Sequence, residues 1–166
     1  MNKSVGFAPV IQEDALLVIL GSFPGQASLQ AGQYYAFARN QFWPIVGTLL
    51  GQADLHRFDY EKKQDFLKEH QVALWDVYKA CIREGSLDSN ISAGEGNDLS
   101  ALKKLAPGLK VIAHNGKTSA RFMKETSLLG VQTMALPSTS PAYASMHFAE
   151  KLEKWRAAFV LAGILE

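Results

Sequence analysis

The chain has 166 residues, of which 48% are hydrophobic, and its 17 Lys and Arg residues nearly balance 16 Asp and Glu residues. A chain of this length and composition can bury a full core, so we expect a single domain, residues 1–166. The lone Cys81 disfavours a disulfide scaffold or a thiolate zinc site and favours the reducing cytoplasm. No apolar run reaches the ~18 residues needed to span a bilayer, and the N-terminal segment lacks the apolar stretch of a signal peptide. We therefore expect a soluble cytoplasmic protein with no membrane partner, whereas a net charge of +1 neither requires nor excludes DNA.

Predicted strands and helices alternate along the chain. The apolar run at residues 15–20 is typical of a strand covered on both faces. The later predicted elements are a helix at 41–50, a helix capped by Asp59 that runs to Glu69, a VALW strand ending at Trp75, a helix capped by Asn97 that reaches Leu105, a strand at 109–113, a helix at 117–125, a strand at 131–136 and a helix at 145–161. This order predicts an α/β fold of three layers, α/β/α, with a central four-stranded parallel sheet.

Ligands of an open parallel sheet bind beyond the carboxyl ends of its strands, so the residues that follow each strand should share one cleft. The segments that follow the four predicted strands are GSFPG at 21–25, Asp76, HNG at 114–116 and PSTSP at 137–141. None is a Walker loop or a GxGxxG turn, and nucleotide chemistry therefore has no support. The four histidines lack metal-ligand spacing, which predicts no metal site.

Four ordered motifs carry a family resemblance: GSFPG, then YYAFARNQFW, then LWDV with CIREGSLDSNI, and finally LPSTSPAYA. Between about Leu17 and Met146 the chain resembles the uracil-DNA glycosylase superfamily, and within it the hypoxanthine-DNA (deoxyinosine) glycosylase branch. The resemblance implies a monomeric enzyme without metal or cofactor. Its partner would be damaged DNA, from which it flips a base and hydrolyses the N-glycosidic bond. The first motif would form an active-site turn that contains Gly21, Ser22, Pro24 and Gly25.

The first motif lacks the usual catalytic side chain. Many branches of the superfamily carry a water-activating Asp or Asn just before the motif's Pro, where this chain has Phe23. In the hypoxanthine branch the Asn of an RNxFW segment is thought to take over, and that position is Asn40 here. An Asn carbonyl can orient a water, which suffices if the bond breaks through an oxocarbenium-like state. Asn40 also occupies a helix-capping position, and a purely structural role is the alternative.

The resemblance places three further residues in a base pocket. Tyr35 corresponds to an aromatic that stacks on the flipped base, whereas the neighbouring Tyr34 is expected in the core. Phe23 either forms a pocket wall or packs beneath the loop. Asp76 corresponds to the residue that reads the base edge, where classical uracil glycosylases have Asn. An ionised carboxylate would accept the ring N–H of hypoxanthine and repel the lone pair of adenine, although Asp76 could instead cap a turn. Asp88 is a weaker candidate that we expect to be structural.

The loop after the last predicted strand is a candidate DNA-binding loop. Ser138, Thr139 and Ser140 have small hydroxyls that can approach a phosphate, and Tyr143 could wedge into the duplex. An ordinary strand-to-helix connection is the alternative for this loop.

Together these features predict a DNA glycosylase that removes a deaminated base, with hypoxanthine as the first choice and mismatched uracil as the second. A non-catalytic module that binds DNA or nucleotides on the same fold is the remaining alternative.

Overall fold

The computed structural model describes residues 2–166. The strands are β1 Ser4–Val5, β2 Leu17–Gly21, β3 Val72–Asp76, β4 Tyr78–Ile82, β5 Ser92–Gly96, β6 Val111–Asn115 and β7 Gln132–Leu136. The α-helices are α1 Gln26–Ala31, α2 Phe42–Leu49, α3 Tyr60–Glu69, α4 Ala101–Leu105, α5 Lys117–Ala120, α6 Met123–Thr126 and α7 Phe148–Leu161. Within this part of the chain, no helix is both long and apolar enough to cross a membrane.

The central sheet has four strands in the order β3-β2-β6-β7, and every neighbouring pair is parallel. The strands β2, β3 and β6 are buried along their whole length, as expected for parallel strands that are covered on both faces. In register, Leu17 lies beside Val72 of β3 and Val111 of β6. The predicted three-layer fold with a four-stranded parallel sheet is confirmed.

Alternate side chains of the strands pack into two cores, one on each face of the sheet. On one face, Leu17 and Ile19 of β2 join a cluster that includes α2, α3 and the Trp155 side chain of α7. On the other face, Val18 and Leu20 pack with Leu102 of α4. Because β2 is central and contributes to both cores, its carboxyl end is held rigidly.

Of the two helix caps predicted from Asp59 and Asn97, one is confirmed and one is wrong. Asp59 caps α3 as predicted, since its carboxylate accepts a hydrogen bond from the Lys62 backbone N–H at 3.0 Å. The predicted cap at Asn97 is wrong, because the Asn97 amide donates instead to the Asp76 backbone carbonyl at 2.8 Å. The Asp98 carboxylate accepts from the Ser100 N–H at 3.1 Å, and the helix begins only at Ala101.

The helix predicted at 117–125 is divided into α5 and α6. The buried His114 ring lies between them, with Nδ1 at 2.9 Å from the Ser119 hydroxyl and Nε2 at 2.9 Å from the Thr126 hydroxyl. One straight helix would place these residues about two turns apart along its axis, so the bend allows both to contact one ring. Burial lowers the pKa of His114 to about 4, which keeps the ring neutral.

A second, antiparallel sheet with the order β1-β4-β5 was not predicted. It follows the central sheet directly, because Val77 alone separates β3 from β4. The β5 residues SAGEG are all exposed and contain two glycines, so they show neither the apolar alternation nor the β-branched content that indicates a strand. This sheet brings residues 83–88 next to the first sequence motif.

Candidate active site

Three strands of the central sheet end side by side with small or polar residues. Gly21 and Asp76 are paired in the register of β2 and β3, and Asn115 ends the neighbouring strand β6. Both polar residues are nearly inaccessible to solvent, Asp76 at 5% and Asn115 at 8%. This edge of the sheet is the carboxyl edge, where ligands of open α/β sheets bind.

Gly21 occupies a point on which two polar groups converge. A Cβ atom at this residue would lie 2.5 Å from the Asp76 Oδ1 atom and 3.1 Å from the Tyr35 hydroxyl oxygen. No side chain fits there without displacing a buried carboxylate. Glycine is therefore required at Gly21 by the close approach of Asp76 and Tyr35 and not by its backbone angles.

Asn115 connects these groups to the last loop and was not singled out from the sequence. Its Nδ2 atom donates hydrogen bonds to the Tyr35 hydroxyl at 3.2 Å and to the Thr139 Oγ1 atom at 3.0 Å. Its Oδ1 atom accepts from the Thr139 backbone N–H at 3.1 Å. The sequence offered one signal, since Asn115 ends an apolar strand in the HNG segment, where a buried amide needs partners.

Tyr35 adopts a backbone conformation that is unusual for a residue with a side chain, with φ at 55°. Its ring stacks on Phe42 with centroids 4.1 Å apart and planes 13° apart. Burial, with a further contribution from the Asp76 charge, raises the pKa of Tyr35 far above its usual value, so the phenol keeps its proton. Tyr34 is a core residue as expected, 3% exposed, and its hydroxyl donates to the Ala8 carbonyl at 2.8 Å.

Asp76 is a buried carboxyl group with one unsatisfied oxygen. Among the residues described, its Oδ2 atom has no hydrogen-bond partner. Burial raises the pKa of Asp76 to about 7, the nearby Asp88 charge adds to the rise, and Arg83 opposes it. The side chain is therefore near half ionisation at neutral pH, a change from the fully ionised form that the sequence suggested.

Residues 83–88 form hydrogen bonds with the predicted active-site turn at residues 21–25. The Ser22 hydroxyl donates to Asp88 Oδ1 at 2.7 Å, and the guanidinium of Arg83 donates to the Pro24 carbonyl. The turn ends at Gly25, the residue that precedes α1. The backbone N–H of Gln26, the first residue of α1, donates to the Ser86 hydroxyl at 2.9 Å. These contacts account for Asp88 as a structural partner of the turn.

Phe23 lies beneath the turn, only 6% exposed. The Arg83 guanidinium lies 5.3 Å from the centre of its ring, and the ring contacts the Gly6 region. Phe23 also lines a cavity of about 280 Å³ whose walls, among the residues described, include neither Asp76 nor Tyr35. The structure thus brings together Gly21, Tyr35 and Asp76. It places the Phe23 ring in the wall of a cavity that these three residues do not line.

Asn40 lies at the start of α2 and is partly exposed. Its Oδ1 atom accepts a hydrogen bond from the Phe42 backbone N–H at 2.9 Å, so the side chain does cap the helix. A carbonyl oxygen has a second lone pair, which is free to accept from a water. The cap therefore fixes the side chain without removing its capacity to orient a nucleophile.

The last loop contacts the site through Thr139. Thr139 is 1% exposed, and its backbone carbonyl accepts from the Gln41 N–H at 2.9 Å, next to Asn40. The partly exposed hydroxyls of Ser138 and Ser140 accept from the N–H groups of Ser140 and Ala142, at 3.1 and 3.2 Å. These two turns leave the serines at the surface, whereas Thr139 is committed to the interior.

Tyr143, the proposed wedge, is partly exposed at the end of this loop. One face of its ring lies 5.2 Å from the Lys151 ammonium. Its backbone N–H donates to the Ser140 carbonyl at 3.0 Å, which closes a further turn.

Comparison with known proteins identifies the family of the chain. The sequence profile described as the Uracil DNA glycosylase superfamily matches residues 8–162. The chain belongs to the uracil DNA glycosylase superfamily. Two curated superfamily proteins are similar to it over most of their length, and both are named hypoxanthine DNA glycosylase. The protein from Methanosarcina barkeri is 41% identical over 140 residues, 84% of this chain and 88% of that protein. The protein from Methanosarcina acetivorans is 40% identical over 155 residues, 93% of this chain and 96% of that protein.

A solved superfamily structure shares the fold. It is a solution NMR structure from Methanosarcina acetivorans, of a protein provisionally described as a uracil DNA glycosylase. The superposition has a TM-score of 0.87 at 37% identity and covers 98% of this chain and 99% of that chain. The shared fold therefore extends over nearly the whole chain.

Proposed function

We propose that this superfamily member is a monofunctional DNA glycosylase that flips hypoxanthine out of DNA and hydrolyses its N-glycosidic bond, leaving an abasic site. The observation that carries the proposal is the cluster of Asp76, Tyr35 and Asn115 at the carboxyl edge of the sheet, in which Asp76 and Asn115 are buried. The names of the two curated relatives support the choice of base. All residues of this group come from one chain, and we expect a monomer that acts in the cytoplasm.

Base recognition in this proposal depends on Asp76. Its partnerless Oδ2 atom would accept the N1–H of hypoxanthine once the carboxyl group is ionised. Adenine has a lone pair at that ring position and would be repelled by the same oxygen. The Tyr35 ring, held by stacking on Phe42, would cover one face of the flipped base.

Bond cleavage in this proposal depends on Asn40. The capped Oδ1 atom would orient a water towards the sugar carbon as the base departs with its bonding electrons. An oxocarbenium-like sugar needs a positioned nucleophile more than a strong one, so an amide is sufficient. Ser138 and Ser140 would contact the phosphates on either side of the extruded nucleotide, and Tyr143 would support the distorted duplex.

The test is single-turnover excision from duplexes that contain hypoxanthine, uracil or adenine, followed by alkaline cleavage at abasic sites. We expect alkali-dependent cleavage with the hypoxanthine duplex and none before alkali. Intact hypoxanthine strands after prolonged incubation would contradict a glycosylase, and faster cleavage of a uracil mismatch would change the substrate.

Two substitutions separate catalysis from helix capping at Asn40. Asn40→Ala removes both functions, and we expect excision to fall on the order of 10²-fold or more. Asn40→Ser keeps a capping oxygen and should restore stability but not rate. DNA binding by both variants should stay near that of the wild type. A wild-type rate in Asn40→Ser would show that Asn40 only caps α2.

A further inference from the structure

Lys151 is a buried cation on α7. Lys151 is only 2% exposed, whereas lysines are almost always at the surface. The ion pairs formed by residues 2–166 do not include it. Burial lowers the pKa of Lys151 below its usual value. The protein thus maintains an ammonium group in its interior without a carboxylate to compensate it.

The contacts of Lys151 connect two segments of the candidate active site. Its Nζ atom donates to the Gln41 Oε1 atom at 2.9 Å and to the Tyr143 backbone carbonyl at 2.8 Å. Gln41 directly follows Asn40, and Tyr143 ends the DNA-binding loop. The Gln41 N–H also donates to the Thr139 carbonyl at 2.9 Å. One ammonium group therefore fixes the loop against the segment that carries Asn40.

Stability alone does not explain this arrangement. Desolvation of an ammonium group is costly, and replacing buried charged groups with apolar groups of similar volume is often neutral or stabilising. An apolar side chain in place of Lys151 would not carry that cost. An apolar side chain could not donate hydrogen bonds to the two oxygen partners, the Gln41 Oε1 atom and the Tyr143 carbonyl.

We propose that Lys151 is a positioning residue for base excision, which sets the DNA-binding loop at a fixed place relative to Asn40. The inference rests on the proposed function, because the loop and Asn40 act on the same flipped nucleotide only in a glycosylase. A loosened loop would fail to stabilise the extruded base, and the loss should be greatest where extrusion is most costly.

The test is Lys151→Met with Lys154→Met as the matched control. Lys154 lies on the same helix and is exposed, so its substitution removes the same charge without the buried contacts. We expect Lys151→Met to slow single-turnover excision of paired hypoxanthine about tenfold or more, with a clearly smaller loss on single-stranded DNA. Its melting temperature should change little, because the two lost hydrogen bonds to the Gln41 and Tyr143 oxygens offset the relief of no longer burying a charge. Lys154→Met should match the wild type in both assays.

A second variant keeps the inference testable if Lys151→Met fails to fold. Gln41→Ala removes one acceptor from a partly exposed position and leaves the ammonium group in place. We expect it to lower excision of paired hypoxanthine in the same direction, and the double variant should lose less than the product of the two single effects.

Wild-type rates in both single variants would overturn the inference. Equal losses on paired and single-stranded DNA, in step with lost stability, would also overturn it, since they would indicate support of the fold only. Failure of the proposed function is distinguishable from both, because the wild-type chain would then release no hypoxanthine from any substrate.

Discussion

Asp76→Asn tests the electrostatics of the site directly. Burial raises the pKa of Asp76 from an ordinary 3.8 to about 7 in the folded chain. Between these pH values the folded chain holds a proton that the unfolded chain has released, so stability falls as pH rises from about 4 to about 7. Asparagine cannot ionise and has no such loss. The variant should therefore gain stability relative to the wild type as pH rises.

The size of this change in stability can be calculated for the pH range from 5.5 to 7, which is easily measured. Between pH 5.5 and pH 7, about 1.5 pH units, the wild type loses about 2 kcal/mol at ~1.36 kcal/mol per unit, and above pH 7 the difference is constant. Urea unfolding at pH 5.5 and pH 8.5 should show the stability difference between Asp76→Asn and the wild type widening by about this amount. The exposed Asp65 of α3 provides the control, since Asp65→Asn makes the same chemical change at the surface and removes no buried carboxyl group.

An unchanged difference for Asp76→Asn at the two pH values would refute the reasoning, since it would mean that Asp76 titrates alike in both states. The same carboxyl group should govern excision. The wild-type rate on hypoxanthine should rise through pH 7 as Asp76 ionises, and the rate of Asp76→Asn should not.

Two further substitutions examine the packing of the site. In Gly21→Ala the new Cβ would lie 2.5 Å from Asp76 Oδ1. Thermal unfolding should therefore show a loss of stability of about 1–3 kcal/mol, and excision should nearly vanish. A normal melting temperature and a normal rate would mean that the Asp76 carboxyl group moves freely. Asn115→Ala leaves the buried Thr139 N–H without its acceptor, so calorimetry should show a melting temperature lower by several degrees. The control Asn90→Ala, at an exposed position, should show a weaker response or none. Equal losses in the two variants would indicate that the Thr139 N–H finds another partner.

The central sheet was predictable because two features of the sequence indicate the same structure. Strands alternate with helices along the chain, and the strands are apolar enough to be covered on both faces. Strands such as β2 are short apolar runs, and residues in such runs have few alternatives to a covered parallel sheet. The cap at Asp59 was predictable for a similar reason, because a capping carboxylate acts within one turn of its own helix.

The remaining features depend on contacts that are distant in sequence. Asn97 has the chemistry of a cap, but the carbonyl of Asp76 lies near enough to compete for its amide. The exposed β5 forms only because β4 provides an edge with which it can pair. Lys151 carries no local pattern that marks it as buried, and the one signal at Asn115, the end of an apolar strand, does not identify its partners. Their positions followed only from the assembled sheet and from the docking of α7.

The Gln41–Lys151 hydrogen bond joins residues 110 positions apart, and the Trp155 indole N–H of the same helix donates to the Pro137 carbonyl at 2.9 Å. During synthesis the segment that contains Asn40 emerges long before α7, because chains are made from the N-terminus. A nascent chain that has reached only the serine-rich loop can already pair its parallel strands and already contains Asn115 and Gln41, the partners of Thr139, but it lacks the contacts that α7 makes with Pro137 and Tyr143. The arrangement of the loop relative to the Asn40 segment is therefore completed late in synthesis, when the last helix docks.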